Sequence, residues 1–178
     1  KKALEAAQKR DEATFQLAVV HWHQNQPELA VPLLIQVIQS QNPTTDLGKQ
    51  SYEQLLELGF VDVPFPSANA STTPPSADRP LIKGNSVLSL PGADRLVEEA
   101  SASISKKNYG LAQQKLQDAR QAFNQLSNFY GDLATAFVGI DPKVSDPLHD
   151  RALEAAQKRD NATFQLALVH RADNKPEL

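Results

Sequence analysis

The sequence predicts an all-α protein, built of antiparallel helical hairpins and carrying one Pro/Ser-rich linker. Three observations predict it. Apolar residues recur at spacings of three and four through long stretches almost free of Gly and Pro. Six of the twelve prolines gather between Val61 and Pro91, with five serines, as in a linker. And one helical stretch occurs twice. Ala3–Leu29 and Ala152–Leu178 align at an offset of 149 residues, with six differences and 21 identities over 27 positions. Chance does not produce such agreement, so both copies should adopt the same local structure.

Element by element, "DEATFQLAVVHWHQN" reads as a first helix and "QPELAVPLLIQVIQSQNP" as a second. Pro27 suits a first helical turn, and Pro32 removes an internal hydrogen bond, so a kink is expected there. "TTDLGKQSYEQLLELGF" is a third helix, with Thr45 or Asp46 as N-cap and Gly59 near its end. Regular structure resumes at Gly92 in a helix reaching about Asn108. A long helix follows, its stripe formed by Ala112, Leu116, Ala119, Phe123, Leu126, Tyr130, Leu133 and Phe137. "VGIDPKVSDP" reads as a loop. Asp146 and Pro147 then open a last helix that runs through the second copy to about Asn174. The domain division expected is 1–60, a linker 61–92, and 93–178.

Composition excludes several functions. The formal net charge of −3 argues against a nucleic-acid surface, which needs a clustered basic face. The longest apolar run, Leu29–Ile38, is interrupted by Pro32 and Gln36 and falls short of the ~20 residues of a membrane span. The absence of cysteine excludes disulfides and thiolate chemistry. No phosphate-binding loop, dinucleotide fingerprint or nucleophile elbow is present, so the chain is expected to be neither an enzyme nor the carrier of a cofactor. His21 and His23, two apart on a helix, point in opposed directions and cannot share a metal. "KRDEAT" and "KRDNAT" read as solvated charged faces. Asn69 and Asn161 match the glycosylation sequon, Asn161 within a helix. No methionine is present, even at the start, which fits a processed, trimmed or engineered chain and leaves its compartment illegible.

Leu17 to Pro43 resembles a tetratricopeptide repeat, a helix–turn–helix unit with a small residue on each helix where the two cross. Leu17 and Ala18 match its Leu-Gly pair, and His21 its aromatic slot. Ala30 matches the small residue of the second helix, Leu34 and Val37 its core slots, and Asn42-Pro43 its end. Tyr109, Ala112, Leu116 and Ala119 resemble a second such unit, with Ala100 at the small slot of its first helix. Leu33–Asp62 also resembles helical-repeat proteins of cyanobacteria and chloroplasts. The resemblance implies a binding module for a partner peptide or protein, with no catalytic residues.

It also implies a groove face. The matching positions are Glu12, Phe15, Val19, Trp22 and His23, which span an arc of roughly 100° on a helix. Thr14, Leu17, Ala18 and His21 are expected on the opposite, packing arc. Four of the six differences between the copies fall on the groove face: Glu12/Asn161, Val19/Leu168, Trp22/Arg171 and His23/Ala172. Partner binding is therefore expected at Glu12, Phe15, Val19, Trp22, His23, Asn161, Leu168 and Arg171, with Trp22 as the anchor. The duplication leaves two origins open, a piece of a tandem array or a permutant with an overlapping end. Lys1–Phe60 is expected to pack on Ala93–Phe137 of its own chain, where the two homologous helices would compete for one position, or on a neighbouring copy, where swapping gives dimers or open filaments.

Overall fold

The computed structural model describes residues 2–65 and 88–174. Six helices account for nearly all of them: α1 (Lys2–His23), α2 (Pro27–Gln41), α3 (Asp46–Glu57), α4 (Leu90–Ser105), α5 (Tyr109–Phe137) and α6 (Pro142–Asp173). There is no strand among the described residues, and the all-α class is as the sequence predicts.

Four helices start where a short polar side chain can accept an orphan backbone N–H. Thr45 Oγ1 accepts from Gly48 N at 3.2 Å for α3, and Ser89 Oγ from Gly92 N at 3.0 Å for α4. Asn108 Oδ1 accepts from Leu111 N at 3.3 Å for α5, and Asp141 Oδ1 from Lys143 N at 2.8 Å for α6. The last of these corrects the sequence reading. Asp141-Pro142 opens α6 five residues before Asp146-Pro147, and Pro147 lies inside the helix. Three helices end in the same way. Asn25, Gly59 and Lys107 take left-handed backbone angles of 59°, 73° and 58°. The residue after each donates to the carbonyl five back: Gln26 to His21, Phe60 to Leu55 and Asn108 to Ser103.

The expected linker, Val61–Gly92, is shorter at both ends. Val61 is buried, and the Phe65 ring sits edge-on to Tyr52 at 5.8 Å. At the other end Ser89 already caps α4. The rest, 66–87, lies outside the described residues, and with it the Asn69 sequon.

The helices gather into two units. The first holds α1, α2, α3 and residues 129–149. Its core holds Val31, Leu34, Ile35 and Ile38 of α2, which packs on α3, and an aromatic group where α3 and its exit meet the end of α5. Tyr52 meets Phe137 edge-on at 5.0 Å, and Phe60 stacks on Tyr130 at 4.7 Å. The buried hydroxyls are satisfied by the α3 exit: Tyr52 Oη donates to Val63 O at 2.7 Å and Tyr130 Oη to Phe60 O at 3.3 Å.

The second unit holds α4, residues 109–128 of α5 and α6 from Asp150 onward. Ala100, Ala112, Leu116, Leu166 and Val169 form a buried cluster, flanked by Val97, Ile104 and Tyr109. Ser127 Oγ donates to Ala152 O at 3.0 Å, a bond that requires α5 and α6 to approach closely. Lys158 ties α6 to α4 through Asp94 at 2.6 Å. Burial alone would lower the Lys158 pKa. Its bonds and attraction to Asp94 and Glu154 outweigh that and hold it above the ordinary 10.5.

The full α5 stripe foreseen from spacing, Ala112 through Phe137, is buried. Leu126→Ala should therefore cost about 2–5 kcal/mol in urea denaturation. Gly48 gives a sharper test. A Cβ at this position would overlap the carbonyl oxygen of Asn42. Gly→Ala inside a helix ordinarily stabilises by about 0.5–1 kcal/mol. Here Gly48→Ala should destabilise.

Candidate docking faces

The duplicated helix gives the molecule two candidate docking faces, and α1 shows how one of them is used. α1 lies on α2. Ala18 and Ala30 are both fully buried, as close helix approach requires, and Leu34 and Val37 are buried with them. Ala7, Thr14 and His21 are half-buried on the same side.

Asp11 is the one charged residue in the core of the described residues. Its carboxylate accepts from Ser40 Oγ at 2.6 Å and Gln41 Nε2 at 2.7 Å, both on α2. Arg10 Nε donates to its other oxygen at 2.7 Å, and Arg10 Nη2 to Ser40 Oγ at 2.8 Å, which closes the network. Burial alone would raise the Asp11 pKa. The bonds from Ser40, Gln41 and Arg10, with the Arg10 charge, outweigh it and hold the carboxyl below its ordinary 3.8. Two of the three charges read as a solvated face, Arg10 and Asp11, are thus a latch onto α2 in α1, while Lys9 is exposed.

The second copy is also helix, as expected, but it buries a different face. Within the second copy the buried residues are Ala152, Ala155, Ala162, Leu166 and Val169. Their counterparts in α1 are Ala3, Ala6, Ala13, Leu17 and Val20, all exposed. At 100° per residue this stripe points roughly 100° away from Ala7, Asp11, Thr14, Ala18 and His21. Leu17 is 48% exposed and Leu166 7%. The Asp11 side chain is 2% exposed and that of Asp160 69%. Leu17 is therefore a correction: it does not pack on α2, because the direction it points belongs to the other seam.

The predicted groove residues are placed as follows. Glu12 and His23 are exposed, and Phe15, Val19 and Trp22 half-buried. The Trp22 and His23 rings lie 4.9 Å apart. Asn161 and Arg171 are exposed, and Leu168 is about half-exposed. Within the first unit Glu12 lines a polar cleft of about 520 Å³ with Gln8, Gln41 and Asp46. Within the second, Leu168 lines an apolar cleft of about 270 Å³ with Ile104, Tyr109 and Val169. All four groove substitutions lie at positions that neither copy buries. Family models, curated proteins and solved structures offer no match to this chain. No helix among the described residues is long and apolar enough to cross a membrane.

Sequence reasoning missed Asp11, whose partners lie about thirty residues away, and it missed the second seam. A signal for the seam was present. Ala152, Ala155, Ala162, Leu166 and Val169 keep helical spacing, and a helix apolar on so much of its circumference suits two neighbours.

Identical residues should therefore behave differently. Asp11→Ala should cost about 1–3 kcal/mol, while Asp160→Ala should stay within about 0.5 kcal/mol. Leu166→Ala should cost about 2–4 kcal/mol and Leu17→Ala under about 1 kcal/mol. Paired urea titrations read both contrasts. Because the folded Asp11 pKa is depressed, its contribution is complete above about pH 4. It is lost as pH falls through the folded value, and Asp11→Asn should remove that acid-side slope.

Proposed function

We propose that the chain is a non-catalytic scaffold that binds a partner protein or peptide on the exposed faces of its duplicated helix, in the manner of tetratricopeptide-like hairpins. One observation carries the reading. The two copies differ only at positions that are exposed or half-buried among the described residues, so the faces toward solvent have diverged while the packing residues stayed alike. The small residues Ala18, Ala30 and Ala100 are fully buried, which is what a hairpin of this kind needs.

Trp22 is half-buried and offers an aromatic anchor for an apolar side chain of the partner. Arg171, at the same place in the second copy, suits a carboxylate. The surfaces are thus expected to select different ligands. A second reading, self-assembly, is favoured by the apolar side chains left exposed on α6, Phe164 at 63% and Leu168.

A displayed library of random peptides, panned against the full chain, tests the scaffold reading. Enriched peptides should lose about tenfold or more in affinity on Trp22→Ala or on Arg171→Ala. Enriched peptides indifferent to both substitutions would sink it.

A further inference from the structure

We propose that the exposed face of α6 is a docking face for the α2–α3 hairpin of a second copy of this chain. The inference rests on the scaffold reading above, in its self-assembling form, and names the partner. The occupant of that face is already visible on α1. There the residues equivalent to Asp160, Thr163, Ala167 and His170 are the ones turned toward α2, with Ala18 and Asp11 buried against it. On α6 each of these four is unchanged in sequence and exposed.

Three features fit the match. First, the face α6 already uses, through Leu166 and Val169, points roughly 100° away from the one proposed. One helix can therefore hold α4 and α5 on one seam and a foreign α2 on the other. Second, the latch is already set. Arg159 Nε donates to Asp160 Oδ1 at 2.9 Å, as Arg10 Nε does to Asp11 at 2.7 Å. What Asp160 lacks, relative to Asp11, are the donors Ser40 and Gln41 of an α2. Third, the charged triplet divides its labour. Lys158 serves the α4 seam through Asp94, while its counterpart Lys9 is exposed. Arg159 Nη1 donates to Asn124 Oδ1 of α5 at 3.3 Å, and the exposed Asp160 is left for the seam proposed here.

The α2 of each chain is covered by its own α1, so docking proceeds by exchange: α6 of one copy enters and α1 of the other leaves. The two helices present nearly the same residues to α2. Occupancy is therefore set by the tether, and the short Gln24–Gln26 turn keeps α1 at high effective concentration. The closed form is favoured at low protein concentration, and weakening α1 should open it. The contact joins different surfaces on the two chains and is head-to-tail.

The test uses the full chain. Ala18→Asp places a charge in the α1–α2 seam and unseats α1 only. Across a dilution series, light scattering should then show the mean mass rising about twofold or more with concentration. Adding Ala167→Asp should return the mass to a single chain. A second variant keeps Ala18. The chain has no cysteine, so Ser40→Cys with Asp160→Cys reports only the proposed contact. Oxidation at high concentration should give chains linked to one another, and Ala167→Asp should abolish the link. Three results would overturn the proposal: a single-chain mass at every concentration, equal association in the Ala18→Asp/Ala167→Asp chain, or a disulfide that closes only within one chain. None of these bears on peptide selection by Trp22 or Arg171, so the two readings fail separately.

Discussion

The carboxylate of Asp11, held by Ser40, Gln41 and Arg10, is the interaction on which the use of the duplicated helix turns. A buried charge is tolerated only when its lone pairs are met, and here two donors from α2 and one from α1 meet them. The pairing also specifies rotation. If α1 turned by a quarter about its axis, Leu17 and Val20 could still find apolar company on α2. Asp11 would then lose its donors, or stay buried without them. Apolar contact is forgiving about angle, whereas a charged network is not. The latch therefore selects one of two available seams.

The same chemistry explains how α6 selects the other. Lys158 finds Asp94 on α4, and Ser127 on α5 reaches the Ala152 carbonyl. The alanines at 152, 155 and 162 let the helices approach, and Leu166 and Val169 fill the space beside Ala100, Ala112 and Leu116. Two neighbours with different polar complements thus draw different rotations from one sequence. A helix able to do both needs apolar residues around most of its circumference. α1 and α6 therefore each leave apolar side chains exposed: Leu4, Leu17 and Val20 on one, Phe164 and Leu168 on the other.

The aromatic end of the first unit has a different logic. Tyr52, Phe60, Phe65, Tyr130 and Phe137 contact one another in edge and stacked arrangements, and the tyrosine hydroxyls close onto the carbonyls of Phe60 and Val63. The chain leaving α3 is thereby held against α5, which shortens the expected linker. Its composition, rich in Pro and Ser, hid that anchoring. One phenylalanine among five residues weighs little in a compositional reading, yet it contributes two ring contacts.

The sequence by itself determined the helices, their order and most of their ends. Backbone hydrogen bonding is local, and the signals for it lie within a few residues: Thr45 and Ser89 as caps, Gly59 as a stop, the stripe from Ala112 to Phe137 as a seam. It also determined that Ala18 and Ala30 would be buried and that Trp22 and Arg171 would not be core. Only the tertiary structure decided which face each copy of the duplicated helix would bury. Ala3–Asn25 and Ala152–Asn174 differ at five places, none of them buried in either copy, so nothing within the repeat could distinguish their roles. The distinction comes from what each copy meets: Ser40 and Gln41 about thirty residues ahead in one case, Asp94 sixty-four residues behind in the other. Rotation about a helix axis depends on the neighbour, and the neighbour is supplied by the fold.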